Sequence, residues 1–310
     1  ATIKGRGKPS PLVEINQDTF VSLGLSFTTE KVLACLLDLK GAPLIQCELD
    51  VHPNNPTAVL DVLEAKIADW TAAELKNRQM IGVGIAMQGY RTGAADQFET
   101  PTLLENWQNL ELIPLFQDRF ELPVFTENNA TCCATAEFYL GGAAEHSCFV
   151  YLSFNYGYGA GLYWQNKPVQ GGHGNAGEIG SIYRPEDTIH RPALGELLKR
   201  MQMQGHAIAH ISELPNYFSD DLPVISDWVQ EVGPYLRQSL AALKGVMDPT
   251  AIFFGGEAPS GLRRALINEA NADDRIVHGP DPMLIESRIQ GDAAHVGAAF
   301  LPLHQLIFRN

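Results

Sequence analysis

The sequence predicts an α/β protein of two lobes that enclose a cleft, and three observations lead there. Residues 19–27 (TFVSLGLSF), 31–39 and 44–51 are short runs rich in apolar and β-branched residues, followed by alternating helical and strand-like stretches. A second pair of strand-like runs (CFVYLSFNYGYGAGLYW) opens near Ser147 and is again followed by such alternation. The chain of 310 residues is too long for one small core and suits two. Ligands of such proteins usually sit in the cleft between the lobes.

Taken in order, the first three runs read as an antiparallel meander, with Gly41, Ala42 and Pro43 separating the last two. Asn55 and Pro56 introduce an amphipathic helix to about residue 76, with Val59, Leu60, Val62, Leu63 and Ile67 on its apolar side. Residues 80–87 (MIGVGIAM) are almost continuously apolar, as expected of a strand covered on both faces. A helix over 113–120 and a strand over 123–126 follow. In the second half the two strand-like runs meet at 155–158, and a Gly-dense loop, GGHGNAGEIGS, comes after them. Helices are expected over 193–204 and 224–246, a strand over 251–254 ends in Gly255 and Gly256, and 293–308 reads as a last helix.

Composition narrows the function. The apolar share of 45% and charged share of 19% are those of an ordinary globular protein. No apolar run approaches the length of a membrane span, and the first residues lack an apolar signal core, so a cytoplasmic protein without membrane contact is expected. The five cysteines (Cys35, Cys47, Cys132, Cys133, Cys148) form no paired motif and read as buried free thiols. A net charge of −14 argues against nucleic acid binding by the body of the chain, because phosphates must be met by Lys and Arg. Lys4, Arg6 and Lys8, set among Gly5, Gly7 and Pro9, are an exception with the chemistry of a flexible basic linker.

Residues 125–137 (FTENNATCCATAE) lie where a strand gives way to a helix, the place where α/β proteins put chemistry. Asn128 and Asn129 are amides, which offer donors and acceptors but take no proton near neutral pH. They suit the capping of the helix that follows. Glu178 suits a pair of hydroxyls, whereas Glu178 and Asn175 also suit capping within a Gly-rich turn. His173 and His190 are lone histidines, more often hydrogen-bonding residues than ligands.

Four segments in order resemble the ROK family (repressors, open reading frames and sugar kinases). GGHGNAGEIG, 171–180, is similar to the family's H-G-x-A-G-E-I-G-H, and LPVFTENNATCCATAE to its L-P-V-x-x-E-N-D-A-N. GVGIAMQG, 82–89, resembles its G-I-x-x-P-G stretch, and FFGGEAPSGL, 253–262, its nucleotide-side Gly-Gly turn. The resemblance implies a two-lobed actin-like ATPase / sugar kinase (ribonuclease H-like) fold with a cleft between the lobes. Residues 19–128 would be the smaller α/β lobe, 129–290 the larger, and 291–310 a C-terminal helix packing back on the smaller lobe. It also implies sugar contact at Asn128, Asn129, Glu178, Asn175 and His173.

The departures from the family pattern carry the functional expectation. The Asp of E-N-D is the kinases' general base, and here that position is Asn129; losing a general base typically costs roughly 10²–10⁴ in rate. Glu127 is a poor substitute, because neighbours on an extended segment point to different faces. The kinases' first phosphate loop, D-x-G-G-T, is replaced by Ser26, Phe27, Thr28, Thr29 and Glu30, so the metal-positioning Asp and both glycines are gone. Phe27 and Glu30 would oppose a polyanion there. The second loop, NYGYGAG, keeps Gly157, Gly159 and Gly161 but has Tyr156 in place of the phosphate-facing Thr. With Gly255 and Gly256 these residues form the remnants of the phosphate loops. Ser181 replaces the zinc-binding His, and no cysteine follows Cys148, so neither zinc nor ATP–Mg is expected as a cofactor.

GRGKPSP, 5–11, resembles the linker that joins the family's repressor bodies to a winged helix-turn-helix, so residues 1–18 read as a basic N-terminal segment. The leading expectation is a sugar-sensing body of a transcriptional regulator without kinase activity. Its partner would be a monosaccharide or sugar derivative, with DNA reached only through an upstream head outside this chain, and a homodimer is expected as is common in the family. The alternatives are an ATP-dependent sugar kinase with unorthodox residues, and an interaction protein whose cleft is filled by its own Phe27 and Tyr156.

Overall fold

A computed structural model describes residues 14–75, 77–93, 96–218, 222–272 and 279–308. Lys4, Arg6 and Lys8 and the linker-like stretch 5–11 lie outside the described residues.

The chain first builds the meander β1 (Phe20–Phe27), β2 (Val32–Asp38) and β3 (Pro43–Leu49), each antiparallel to the next. Helix α1 (Pro56–Ala72) follows, capped by Asn55, whose side-chain oxygen accepts from Ala58 N. It ends short of residue 76 because the Leu75 N–H reaches back to the Trp70 carbonyl (2.8 Å), a closure that stops a helix, and Leu75 turns into the core. Then come β4 (Gln79–Met87), a two-stranded ribbon of β5 (Tyr90–Arg91) and β6 (Phe98–Glu99), α2 (Leu112–Phe120), β7 (Val124–Asn128) and α3 (Asn129–Ala136). β4 and β7 add to the meander in parallel, giving the order β3-β2-β1-β4-β7.

The second half repeats the plan. β8 (Cys148–Phe154), β9 (Tyr158–Trp164) and β10 (Lys167–Pro168) are antiparallel. Helices α4 (Leu194–Met203), α5 (Leu214–Tyr217) and α6 (Pro223–Met247) precede β11 (Ala251–Gly256), α7 (Ser260–Ala270), β12 (Met283–Glu286) and α8 (Ala294–Leu306). β11 and β12 are parallel to β8, so the order β10-β9-β8-β11-β12 mirrors the first sheet. Gly255 and Gly256, expected just beyond a strand, are its last two residues and pair with Ser153 and Phe154.

Each sheet has its own apolar cluster, and between them small residues of α3 and α8 (Cys132, Cys133, Ala134, Ala294, Ala298) form a third. Glycine makes this layer possible. A Cβ on Gly84 would stand 1.8 Å from the Ala298 carbonyl oxygen, and one on Gly24 2.0 Å from that of His295. α8 therefore lies directly on β1 and β4, and the Ser22 hydroxyl donates to the Ala299 carbonyl (2.6 Å). Among the described residues no helix is long and apolar enough to cross a membrane. All five cysteines are free thiols.

Candidate functional site

β7 ends at Asn128, two residues later than the 123–126 strand expected, because Glu127 and Asn128 still pair with Ala86 and Met87. The turn from strand to helix happens on these two amides. Asn128 is the N-cap of α3: its Oδ1 accepts from Ala130 N (2.8 Å). Its Nδ2 donates to the Gly89 carbonyl (2.8 Å) and to Glu178 Oε1 (3.1 Å), which ties β4, α3 and the Gly-rich loop together. Asn129 plays a different part. Its Nδ2 donates to the Phe27 carbonyl and Ser26 Oγ, both at 3.3 Å, at the end of β1. A carbonyl only accepts, so the amide nitrogen must face Phe27 and the Oδ1 must face away. That oxygen is buried and has no partner.

These groups meet in a 230 Å³ cavity between the two sheets, lined on one side by Gln88, Gly89, Asn128 and Asn129, and on the other by Tyr156, Gly157, Glu178 and Arg191. A cavity that small suits a single small ligand. Burial pushes the Glu178 carboxyl up to about 7, although the Arg191 charge pulls the other way. It is thus poised to exchange a proton near neutrality, while Asn128 holds one of its oxygens in place. The cavity offers an unsatisfied amide oxygen, a carboxyl and a guanidinium, a donor and acceptor set suited to hydroxyl-rich molecules.

His173 and Asn175 do not join this group. The Asn175 amide is spent on the backbone of Arg91, accepting from its N–H (2.7 Å) and donating to its carbonyl (3.0 Å). His173 lines a separate 520 Å³ cavity with Arg91, Glu127 and Gln170. Glu127 is buried, pairs with Arg91 (3.3 Å) and accepts from Gln170 (2.7 Å) and its neighbour Asn128 N (2.8 Å).

On the other side of the cavity the remnants of the first phosphate loop have folded on themselves. Thr28 Oγ1 accepts from the N–H groups of Lys31 (3.0 Å) and Glu30 (3.3 Å), donors that an anion would otherwise need. Glu30 reaches across to the second half of the chain, where its carboxylate accepts from Ile211 N (2.7 Å) and Ser212 Oγ (2.9 Å). Beside it lies a 360 Å³ cavity lined by Lys31, Ser212, Glu257 and Asp292. Burial, then the charges of Asp292 and Glu30, push the Glu257 carboxyl up to about 8. Phe27, expected to obstruct this region or the cleft, does neither. Its ring is buried in the first core, 4.5 Å from Trp107, because alternate residues of a strand face opposite sides and position 27 faces inward. Tyr156 does line the small cavity. Gly161 serves packing: a Cβ there would stand 2.4 Å from the Ala130 carbonyl oxygen.

The stretch after Glu178, where many members of the resembled family hold zinc, is fastened by side chains. His190 Nδ1 meets Glu231 Oε1 at 2.7 Å, Arg200 donates to Glu231 Oε2 at 2.6 Å, and the two pull the Glu231 carboxyl down to about 2. The His190 ring stacks on Tyr235 at 5.0 Å. Among the described residues no three His, Cys, Asp or Glu side chains are grouped to hold a metal. Gly89, whose carbonyl orients Asn128, ends the 82–89 motif, whereas Arg191 was not expected at the cavity from sequence. Arg191 stands in no motif, and only the fold brings it there.

Comparison with known proteins fits this arrangement. A model of the ROK family matches residues 22–302. The xylose repressor of Bacillus spizizenii is 27% identical over 258 residues, 79% of this chain and 66% of the repressor. Among solved structures, a ROK family glucokinase from Streptomyces griseus in complex with glucose and AMPPNP aligns with a TM-score of 0.74 at 21% identity, covering 91% of this chain and 98% of that one. A ROK family transcriptional regulator, a homologue of the E. coli MLC protein, aligns with a TM-score of 0.70 at 22% identity, covering 93% and 78%. The fold is the actin-like one of the sugar kinases, and repressors and kinases both stand among its relatives. With a family model spanning most of its length and two sheets of the same plan, the chain belongs to the ROK family.

Proposed function

We propose that this chain is the sugar-binding body of a ROK-type transcriptional regulator and lacks sugar kinase activity. The observation that carries the reading is the nucleotide side of the cleft, where Thr28 consumes the loop's N–H donors and Glu30 ties the loop to Ile211 and Ser212. A polyphosphate would have to displace a carboxylate and settle beside Glu257 and Asp292. Sugar contact falls to Asn129, Glu178 and, through its placement of Glu178, Asn128. Neither zinc nor ATP–Mg is part of the proposal. Sugar binding between the halves would shift their closure and so move a DNA-binding head joined through the basic N-terminal segment. The direct test is calorimetry against monosaccharides, amino sugars and sugar phosphates, alongside ATP–Mg. Sugar binding without nucleotide binding is expected, and the reverse pattern would sink the reading.

Two substitutions probe it further. Asn129→Asp restores the residue type of the kinase base, yet it would set a carboxylate oxygen against the Phe27 carbonyl in place of a donor. ADP release with a hexose panel is therefore expected to stay at background, and robust turnover would favour the kinase reading suggested by the glucokinase likeness. Glu30→Ala removes the acceptor of the Ile211 and Ser212 N–H groups. Their amide hydrogen exchange should quicken by about tenfold or more, the scale of one hydrogen bond to a charged partner. Unchanged protection at both amides would mean that Glu30 does not hold the halves together.

A further inference from the structure

Arg191 is the one cation lining the small cavity, and its charge is felt by the Glu178 carboxyl only across space, with no bond between the two. Among the described residues its side chain forms no ion pair or hydrogen bond, and its Nε is buried without a partner. Glu178 is the cavity's carboxyl, but its Oε1 is held by Asn128 and it makes no ion pair with Arg191. The next cation along the chain, Lys199, is paired with Glu196 at 2.9 Å. The position of Arg191 is not accidental slack. The residues just after it are bolted to the second loop remnant, Leu194 N donating to the Asn155 carbonyl (2.9 Å) and Gly195 N to that of Tyr156 (3.1 Å). The residue just before it is clamped by Glu231. A side chain on Gly195 would collide with the Tyr156 carbonyl at 2.8 Å, so this close seating depends on glycine.

An unpaired, partly buried guanidinium is costly, because it has given up water without gaining a partner. Its planar fork matches a carboxylate or a phosphate, each able to accept two parallel N–H bonds. Gly157 lines the same cavity and leaves open space where a side chain would stand. We propose that the ligand of this cavity is an anionic sugar, a sugar acid or a sugar phosphate, whose charged group is taken by Arg191 while its hydroxyls face Glu178 and Asn129. The inference rests on the sugar-binding reading and narrows it to a ligand class. Neutral sugars offer the guanidinium hydroxyl acceptors and no charge.

The experiment compares D-glucose, D-mannose, D-galactose and N-acetyl-D-glucosamine with their 6-phosphates and, for the first three, their uronic acids. Calorimetry is run on the whole chain and on Arg191→Gln and Arg191→Lys, with thermal melts to confirm that both variants fold. At least one anionic form should bind about tenfold or more tighter than its neutral parent, the scale of a charged hydrogen bond. Arg191→Gln should erase that advantage by weakening the anionic form more than its neutral parent, and Arg191→Lys should keep part of it. The advantage should also shrink as salt rises. Whether phosphate or carboxylate gains more identifies the source of the charge. Equal binding of neutral and anionic forms, or equal loss of both in Arg191→Gln, overturns the inference and leaves the sugar-binding reading standing. If no sugar of either kind binds, both fall.

Discussion

Glu178→Ala is expected to weaken sugar binding by about a hundredfold or more, the largest loss of any single change in the cavity. A carboxylate accepting from two hydroxyls contributes about 1.5–3 kcal/mol per bond, and about 1.4 kcal/mol is a tenfold change in affinity. The substitution also strands the Asn128 amide, which donates to Glu178 Oε1. Glu178→Gln keeps one acceptor and should fall between. The pH dependence follows from burial, which raises the Glu178 carboxyl to about 7 in the free protein. Hydroxyl donors favour its charged form, so the bound state must have a lower value. Affinity therefore rises with pH up to and just past 7, and weakens by up to about tenfold per unit as pH falls below it. Stability of the free protein runs the other way. A carboxyl raised on folding contributes stability below its ordinary value near 4.5, and that contribution is lost as pH rises through about 7. Calorimetry between pH 5.5 and 8.5 checks both, and a flat affinity profile in the parent protein would remove Glu178 from the contact.

What sequence revealed here depended on the length of the signal. β1, β4 and β8 are runs of seven to nine residues, almost wholly buried, and each is an apolar block that local pattern can find. The duplication of the two halves was legible for the same reason. β5 and β6 are two residues each, too short for any periodicity, yet their ribbon carries Arg91 to Glu127 and leads from Gly89, whose carbonyl holds Asn128. Asn128 and Glu178 stood in motifs and are bonded to each other across 50 positions. Asn175 stood in the same motif, but its donor and acceptor are both matched to the backbone of one residue, Arg91, a pairing that only the packed loop reveals. Glu30 could be read as hostile to phosphate, whereas its bonds to residues 211 and 212, about 180 positions away, depend on how the halves meet. Phe27 failed for a related reason: sequence located it in the loop, and strand alternation turned it into the core.

Gly84→Val is expected to be the most destabilising surface-preserving change outside the cavity, and the reason lies in the same conversion of pattern into contact. A glycine inside a strand signals a close backbone approach. At Gly84 that neighbour is α8, with the Ala298 carbonyl oxygen 1.8 Å and the Pro302 Cδ 3.3 Å from where a Cβ would stand. The helix cannot yield locally. On its other side Gly297 is seated against the Cys132 carbonyl of α3, 1.8 Å from the corresponding Cβ position, so moving α8 off the first sheet drives it into the layer between the two sheets. Even Gly84→Ala must shift a backbone, and a loss of about 3–5 kcal/mol follows, at the upper end of what single changes cause. Valine adds two further methyls and should leave little folded protein. Gly245→Ala supplies the contrast. It lies on the exposed side of α6 with no atom within 4 Å of its Cβ position, and there a helix former in place of glycine should stabilise by about 0.5–1 kcal/mol. Denaturant midpoints of the three variants measure both signs at once. A Gly84→Ala protein as stable as its parent would mean that α8 does not rest on β4 in solution, and with it would go the rigid floor on which Asn128 and Asn129 are held.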